Sequence, residues 1–192
     1  MPTDEPQRML AVLRAAGALD PRGRPGEVGA VTIAAYIASP GEPDTAAVRA
    51  AVRAAGGRVL LPVPLPGRDL GWVLDEGSYA PDPALPVRVP IGPVLGRGAP
   101  CLIEQAATLV LAPALAVDRS GARLGQGGGF YDTLLALLAQ LAQHVAAARP
   151  IGVLAVVHDD EVLAPGMIPR DAHDMPVGAA LTPAGIVRLG PA

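Results

Sequence analysis

The sequence predicts an α/β protein in which helices cover both faces of a mostly parallel sheet. Strand-like apolar runs alternate with helix-like runs, and this order occurs twice, over residues 31–62 and again over residues 108–157. Such alternation favours parallel strands, because each helix returns the chain to the same end of the sheet. With 192 residues, 51% of them hydrophobic, the chain is long enough to bury the core of one such domain.

The first unit begins with residues 31–37, VTIAAYI, whose β-branched and apolar side chains predict a buried strand. Residues 39–44 read as a loop and residues 45–55 as a helix, which Asp44 is placed to cap and two glycines end. Residues 58–62, RVLLP, form the next predicted strand. We therefore expect a β-α-β unit with a parallel pair of strands.

The second unit runs from a strand at 108–112, through a glycine-rich loop, to a helix near 130–148 and a strand at 151–157. One face of this helix is predicted to pack on the core because apolar side chains recur at helical spacing along it. That face carries Leu134, Leu138, Leu141 and Val145.

Less regular segments lie between and after the two units. Residues 70–75 alternate like a strand and residues 80–100 are rich in Pro and Gly, which predicts a hairpin followed by an irregular loop. In the tail, residues 178–182 and 185–189 are two short strands that are predicted to pair as a hairpin around TPAG.

The domain organisation is predicted to be simple. Residues 1–28 form a weakly structured or short helical segment, with helical character near 8–18 and partial mobility. Residues 29–192 then form a single α/β domain.

Composition excludes several classes of function. All 15 cationic residues are Arg, the net charge is −3 and aromatic residues make up 3%, so the chain lacks the charge and stacking residues of a nucleic-acid binder. Polar residues and prolines interrupt the apolar runs before they could span a bilayer. The acidic start, without a following basic and then apolar segment, and the single Cys101 predict a cytoplasmic protein. A monomer or a homodimer is expected.

The most informative stretch is the glycine loop, residues 125–129, GQGGG, which lies between a predicted strand and a predicted helix. Such a loop directs backbone N–H groups at an anion, and the helix dipole adds to the attraction, so phosphate is the expected ligand. The nucleotide P-loop is excluded because there is no lysine, and the dinucleotide pattern GxGxxG is excluded because Phe130 replaces its last glycine. Arg123 is placed to supply the positive charge.

Two carboxylates are candidate metal ligands. Asp132 lies in the first turn of the predicted helix, where it either complements the helix dipole or holds Mg²⁺ beside phosphate oxygens. Asp174 is a second candidate, and its alternative role is to stabilise a turn in a polar loop.

The order of residues over 117–132, VDRSGARLGQGGGFYD, resembles the signature of the 5-formyltetrahydrofolate cyclo-ligase (methenyltetrahydrofolate synthetase) family. Shorter matches extend the resemblance to about residues 31–189. They are AYI from Ala35, GEPDT from Gly41, GRVLLP from Gly57, LGW ending at Trp72, PIGPVLG from Pro90 and HDMPV from His173.

The resemblance implies a three-layer α/β/α fold with a mostly parallel mixed sheet, of the kind shared with sugar-phosphate isomerases and CoA transferases. It also implies an ATP- and Mg²⁺-dependent reaction. In that reaction the formyl oxygen of 5-formyltetrahydrofolate, or of a related formamide-like substrate, is phosphorylated. N10 then attacks the activated carbon, and phosphate leaves to give the 5,10-methenyl product. Phosphorylation is needed because an amide oxygen is a poor leaving group, whereas a phosphate is a good one.

Carried onto this sequence, the resemblance implies roles for individual residues. Arg123 and Tyr131 are the expected catalytic residues, although Tyr131 could instead pack between helix and sheet. The expected ATP-binding residues are Arg123, Leu124, Gly125, Gln126, Gly127, Gly128, Gly129, Phe130 and Tyr131. The expected Mg²⁺ ligands are Asp132 and Asp174. The expected substrate-binding residues are Ser39, Glu42, Asp44 and Trp72, and the alternative for Trp72 is core packing.

The sequence departs from the family pattern at three points. The family begins with a basic helix of the form KxxxR, whereas this chain offers Arg8 and Arg14 out of that pattern. Val89 stands where the family has Glu in EPxGP, and Thr133 stands where many bacterial members have Arg. Two alternatives therefore stay open: a homologue that binds nucleotide or folate without turnover, and an ATP-independent enzyme that acts on a phosphorylated metabolite.

Overall fold

Within the residues that the computed structural model describes, 4–82, 87–144, 150–171 and 173–190, the chain folds around a central sheet of eight strands. The helices are α1 (Glu5–Ala15), α2 (Ala46–Ala54), α3 (Gly98–Glu104) and α4 (Phe130–His144). The strands are β1 (Thr32–Ala34), β2 (Arg58–Leu65), β3 (Asp69–Leu74), β4 (Tyr79–Pro81), β5 (Arg88–Pro90), β6 (Val94–Arg97), β7 (Ala107–Pro113), β8 (Ala116–Asp118), β9 (Arg123–Leu124), β10 (Gly152–Val156), β11 (Val162–Leu163), β12 (Ala179–Thr182) and β13 (Gly185–Arg188).

The central sheet is mixed, and its parallel strands lie in the middle. The strand order is β13-β12-β10-β7-β1-β2-β3-β6. Adjacent strands from β12 to β2 pair in parallel, whereas β13, β3 and β6 pair antiparallel with their neighbours at the two edges. This confirms the prediction of a mostly parallel mixed sheet.

Helices cover both faces of the sheet, which gives the expected three layers. Because strand side chains alternate between faces, Ile33 packs with α1 and α2, while the next residue, Ala34, packs with α3 and α4. The two resulting clusters bury Val48 of α2 on one side and Leu134 of α4 on the other. The sequence positions of the helices and strands therefore lead directly to a three-layer α/β/α fold.

The predicted β-α-β unit is confirmed, with a shorter first strand. Thr32 pairs in parallel with Arg58, and the Asp44 carboxylate accepts a hydrogen bond from the Ala46 N–H at 2.8 Å, as expected of a cap. Strand β1 ends at Ala34 rather than at residue 37, and beyond it the Tyr36 carbonyl accepts a hydrogen bond from the Thr45 hydroxyl at 2.6 Å. The chain therefore turns towards α2 earlier than the apolar run suggests.

The second unit and the tail also follow the prediction. Strand β7, helix α4 and strand β10 occur in the expected order, and β12 pairs antiparallel with β13 as the tail hairpin. The predicted apolar face of α4 includes the buried Leu134, while Val145 lies outside the described residues.

Residues 80–100 are more regular than the irregular loop that was predicted. They contribute β4, β5 and β6 and the start of α3. Pro81 and Pro90 are tolerated because they lie at the ends of short strands, where one missing N–H does not interrupt a long ladder. Helix α3 has seven residues, too few for a recognisable helical repeat in the sequence.

The N-terminal segment packs more firmly than predicted. Helix α1 begins at Glu5 and ends at Ala15, about one turn earlier than the predicted 8–18. Met9 and Leu13 are fully buried in the same core cluster as Ile33. Apolar burial therefore holds this segment against the rest of the domain.

No helix among the described residues combines the length and the apolar character that crossing a membrane would require.

Candidate active site

A cavity of about 940 Å³ opens beside the glycine loop. Its lining comes from six segments, residues 36–42, 62–70, 87–89, 113–114 and 123–136 together with Pro169, His173 and Asp174. Residues 36–42 follow β1, and residues 62–70 include the carboxyl end of β2, which is parallel to β1. Clefts at the carboxyl ends of parallel strands are the usual ligand sites of α/β proteins, so the cavity is the candidate active site.

The glycine loop needs its glycines because of both backbone conformation and crowding. Gly127 and Gly129 have φ values of +83° and +70°, in the left-handed region that favours glycine. A Cβ at Gly125 would lie 3.0 Å from Arg123 Nη1, and a Cβ at Gly129 would lie 3.2 Å from Arg68 Cδ. The backbone of the loop therefore carries no side chains at its glycines where it lines the cavity. The side chains of Arg123 and Arg68 lie against its two ends.

Arg123 is held by an ion pair with Asp132. Its Nη2 donates to Asp132 Oδ2 at 2.9 Å and its Nη1 donates to the Pro113 carbonyl at 3.3 Å. The Arg123 side chain is 4% exposed, and its buried Nε has no hydrogen-bond partner among the described residues. The guanidinium is thus fixed at the base of the glycine loop, and its buried Nε–H is unused among the described residues.

The two predicted metal ligands lie in the same cavity. Asp132 Oδ1 accepts from the Met175 N–H at 3.4 Å, which brings the residue after Asp174 against Asp132. Asp174 Oδ2 accepts from the Asp171 N–H at 2.7 Å, so this carboxylate also stabilises a turn, as the alternative suggested. The described residues contain no group of three or more His, Cys, Asp or Glu side chains that could hold a metal.

Tyr131 lines the cavity, and its hydroxyl is buried. The hydroxyl has no hydrogen-bond partner among the described residues. Burial raises the pKa of the Tyr131 hydroxyl above its ordinary value, although the Arg123 guanidinium opposes the shift. The hydroxyl therefore stays protonated near neutral pH and is available as a donor.

The opposite side of the cavity includes two of the predicted substrate residues. Glu42 Oε2 accepts from the Ser39 N–H at 2.8 Å, and Glu42 Oε1 accepts from Gln126 Nε2 at 2.8 Å. The second bond joins the 36–42 segment to the glycine loop, a contact that sequence reasoning did not find. Tyr36 holds this segment in place, since its hydroxyl donates to the Pro43 carbonyl at 2.7 Å.

Asp44 and Trp72, two further predicted substrate residues, do not line the cavity. Asp44 caps α2 through its side chain. Trp72 is fully buried in the core, and its Nε1 donates to the Gly98 carbonyl at 2.9 Å. Stacking of Trp72 on a substrate ring was therefore the wrong interpretation, and core packing, its alternative, is what the structure shows.

Asp118 joins the segment that precedes Arg123 to residues 166–168, and the sequence analysis assigned it no role. It is fully buried and accepts hydrogen bonds from the backbone N–H groups of Ser120, Ala122, Gly166 and Ile168 and from the Ser120 hydroxyl. Burial raises the pKa of the Asp118 carboxyl, but these hydrogen bonds outweigh burial and lower it to about 2. The DxSG pattern, typical of a turn stabilised by an Asp side chain, was the available signal.

Two further arginines and a valine of the lining come from distant segments. Arg68 lies in the turn between β2 and β3, and Arg88 and Val89 belong to β5. Val89, which replaces the Glu of the family pattern, does line the cavity. Neither arginine belongs to a recognisable motif, so only the fold brings them to the site.

Comparison with known proteins places these features in a family. A model of the 5-formyltetrahydrofolate cyclo-ligase family matches residues 27–183. The chain is 40% identical over 171 residues to the 5-formyltetrahydrofolate cyclo-ligase of Mycolicibacterium smegmatis, a match that covers 82% of this chain and 77% of that protein. It is 31% identical over 165 residues to the 5-formyltetrahydrofolate cyclo-ligase of Escherichia coli K12, covering 84% of this chain and 83% of that one.

A solved structure shows the same fold. The NMR structure of Aquifex aeolicus 5,10-methenyltetrahydrofolate synthetase matches with a TM-score of 0.63 and 21% sequence identity. The match covers 97% of this chain and 82% of that one.

Proposed function

The chain belongs to the 5-formyltetrahydrofolate cyclo-ligase family, a family of enzymes, and we propose that its cavity converts 5-formyltetrahydrofolate to the 5,10-methenyl product with ATP and Mg²⁺. The observation that carries this proposal is the arrangement of Arg123, Asp132 and Asp174 around the bare backbone of the glycine loop. A cation, two carboxylates and free N–H groups in one cavity are what a metal–polyphosphate ligand requires.

The residues fit the phosphate groups of a nucleotide. The glycine loop leads into the 15-residue helix α4, whose N-terminus adds a partial positive charge. The unused Nε of Arg123 is a buried donor that lacks a partner among the described residues, as expected where a ligand supplies the acceptor. Residues 123–131 are therefore the proposed ATP-binding segment.

The residues also fit Mg²⁺. This ion binds through one or two carboxylates and takes its other ligands from phosphate oxygens and water, so a site with two protein carboxylates is sufficient. Asp132 and Asp174 would hold it, and the ion would neutralise charge on the transferring phosphoryl group. The ion pair with the Arg123 guanidinium orients the Asp132 carboxylate within the cavity.

The opposite side of the cavity is proposed to bind the folate. Ser39 and Glu42 line it, and the Glu42 carboxylate is fixed by two hydrogen bonds so that its remaining lone pairs can accept from N–H groups of a ligand. A cavity of about 940 Å³ lies at the upper end of the usual range for small-molecule sites. Its volume suits two ligands in contact, as transfer between them requires.

The proposed reaction assigns a task to each residue. In the first step the formyl oxygen attacks the γ-phosphorus of ATP, and ADP leaves. In the second step N10 attacks the formyl carbon and loses its proton. Phosphate then leaves and carries the former formyl oxygen with it. Arg123 and the loop N–H groups orient the polyphosphate and stabilise its charge. The protonated Tyr131 hydroxyl donates a hydrogen bond to the oxygen atoms that gain charge during transfer.

The proposal is tested by incubating the protein with 5-formyltetrahydrofolate, ATP and Mg²⁺ and following the near-ultraviolet absorbance of the methenyl product. We expect product only when all three are present, with one ADP per product. Product without ATP would support an ATP-independent enzyme instead. Binding of ATP and folate without product would identify a homologue that does not turn over, and either result would overturn the proposal.

A further inference from the structure

Arg68 occupies an unusual position at the tip of the β2–β3 hairpin. The turn comprises residues 66–68, since Leu65 pairs with Asp69. Arg68 has a φ of +60°, in the left-handed region that side chains other than glycine and asparagine seldom adopt. An arginine is strained in this conformation, so its side chain is expected to have a function that offsets the strain.

The Arg68 side chain lies on the end of the glycine loop. An ideal Cβ at Gly129 would be 3.2 Å from Arg68 Cδ and 3.4 Å from Arg68 Nη1. Arg123 lies in the same way against Gly125, at the other end of the loop. The glycine loop is thus flanked by two guanidinium groups, each on the side that faces the cavity.

Of the arginines that line the cavity, Arg68 is the one that has no hydrogen bond, ion pair or aromatic contact within the described part of the chain. Arg123 is paired with Asp132, and Arg88 donates to the Tyr79 carbonyl at 3.3 Å and lies over the Tyr79 ring. Within residues 4–82, 87–144, 150–171 and 173–190, no carboxylate lies within 4.0 Å of the Arg68 guanidinium. An unpaired cation beside bare N–H groups favours an anionic ligand.

The N-terminal arginines are engaged elsewhere. Arg8 lies 3.6 Å from Asp159, and Arg14 donates to the Gly26 carbonyl at 3.2 Å. Neither residue lines the cavity. If a polyphosphate at the glycine loop contacts a second guanidinium besides that of Arg123, this group must therefore belong to a residue that lines the cavity.

We propose that Arg68 binds the phosphate oxygens of the nucleotide, so that Arg68 and Arg123 hold the polyphosphate from both ends of the glycine loop. This inference rests on the proposed function and adds a phosphate-binding residue to it. Arg68 reaches the site from a different segment of the chain than Arg123, so the β2–β3 hairpin becomes part of the nucleotide site. The planar guanidinium of Arg68 can bind two phosphate oxygens at once.

Isothermal titration on the full chain tests the inference with three variants. Arg68→Gly removes the side chain and relieves the left-handed backbone, so the variant is expected to fold at least as well as the wild type. Arg68→Lys keeps the charge but not the fork. Arg188→Ala is the matched control, because it removes one exposed arginine from β13, which does not line the cavity. The ligands are Mg·ATP, Mg·tripolyphosphate and 5-formyltetrahydrofolate.

We expect Arg68→Gly to weaken both phosphate ligands about tenfold, the scale of one lost charge-assisted contact, and Arg68→Lys to weaken them less. Binding of 5-formyltetrahydrofolate and all binding to Arg188→Ala should match the wild type. Unchanged phosphate binding in Arg68→Gly, or a loss confined to the folate, would overturn the role of Arg68 and leave the proposed function standing. A wild-type chain that binds neither phosphate ligand would overturn both.

Discussion

The two walls of the cavity are built in different ways. The loop wall, residues 123–132, is contiguous in sequence, and a partly buried ion pair between Arg123 and Asp132 fixes it. The opposite wall combines residues 36–42 with residues 87–89, which lie far apart in the chain. The hydrogen bond from Gln126 to Glu42 joins the two. The loop wall is therefore preorganised by local structure, whereas the opposite wall depends on the fold as a whole.

This difference explains why the proposed phosphate site can be predicted from the sequence more easily than the proposed folate site. Phosphate is recognised by backbone N–H groups, and a short glycine-rich segment before a helix is sufficient to present them. A ring system such as a folate is recognised by side chains from several segments, whose proximity only the tertiary structure decides. The proposed nucleotide site can thus be traced to one motif, and the proposed folate site cannot.

The largest effect is expected on the loop wall. Asp132→Asn should lower the rate of methenyl product formation by about a hundredfold or more, because it removes a proposed Mg²⁺ ligand and the partner of a buried guanidinium. Steady-state kinetics measure the rate of product formation.

Asp174→Asn is the companion variant. It should also lower turnover but keep the thermal stability of the wild type, since Asp174 pairs with no arginine among the described residues. Turnover within tenfold of wild type in both variants would contradict the role of these carboxylates.

A second large effect concerns the support of the loop wall. Asp118→Asn should lower the free energy of unfolding by about 2 kcal/mol near neutral pH, because a neutral amide replaces a buried carboxylate that accepts five hydrogen bonds. Urea unfolding measures it, with the exposed Asp160→Asn as control.

The same carboxylate gives a pH dependence with a definite sign. The pKa of Asp118 is lowered from 3.8 to about 2 in the folded chain, so its contribution to stability is fully present above about pH 4 and is lost as the pH falls towards 2. The difference in stability between wild type and Asp118→Asn should shrink over that range. A difference that grows on acidification would contradict the assignment.

A smaller effect should separate the two walls. Glu42→Gln is expected to raise the KM for 5-formyltetrahydrofolate about tenfold, since a charged acceptor is lost, while the Kd for Mg·ATP changes little. Asp44→Asn is the control, because asparagine also caps helices and Asp44 does not line the cavity. An equal loss for both ligands in Glu42→Gln would mean that the walls act as one unit.

The smallest expected effect concerns the pair of His158 and Glu5, which lies next to the opposite wall. His158 Nδ1 lies 2.5 Å from Glu5 Oε1, and its Nε2 lies 3.3 Å from the Gly41 carbonyl, next to Glu42. Burial lowers the pKa of His158, but the Glu5 carboxylate outweighs burial and raises it above 6.5. The stability from this pair is therefore present below about pH 6.5 and is lost as the pH rises through the raised pKa.

Glu5→Gln should consequently lower the Tm at about pH 6 and leave it almost unchanged at about pH 9, where the imidazole is neutral. Thermal unfolding followed by circular dichroism measures both. Arg14→Gln on the same helix is the control, since Arg14 contacts the Gly26 carbonyl and not His158. A loss of equal size at both pH values would show that Glu5 acts by packing rather than by charge.

Most of the fold could be predicted from alternating strands and helices, because β1, β2, β7 and β10 all lie within apolar runs of the sequence. Short elements could not: α3 has too few residues for a helical repeat, and β4 and β5 contain prolines that argue against strands until the pairing partner is known. Trp72 was misassigned for a related reason. The alternating pattern of β3 does not show which face of the strand lies against the cavity and which lies against the core. Arg68 was missed because a turn residue has no motif until the hairpin is placed over the glycine loop.

In the proposed reaction, ATP bound at the loop wall transfers its γ-phosphoryl group to the formyl oxygen of the folate bound at the opposite wall. It is tested most directly with 5-formyltetrahydrofolate labelled with oxygen-18 in the formyl group, by measuring the label in the inorganic phosphate after one round of turnover. The account predicts one labelled oxygen in each phosphate released with the methenyl product. Unlabelled phosphate, with the label in water, would contradict it.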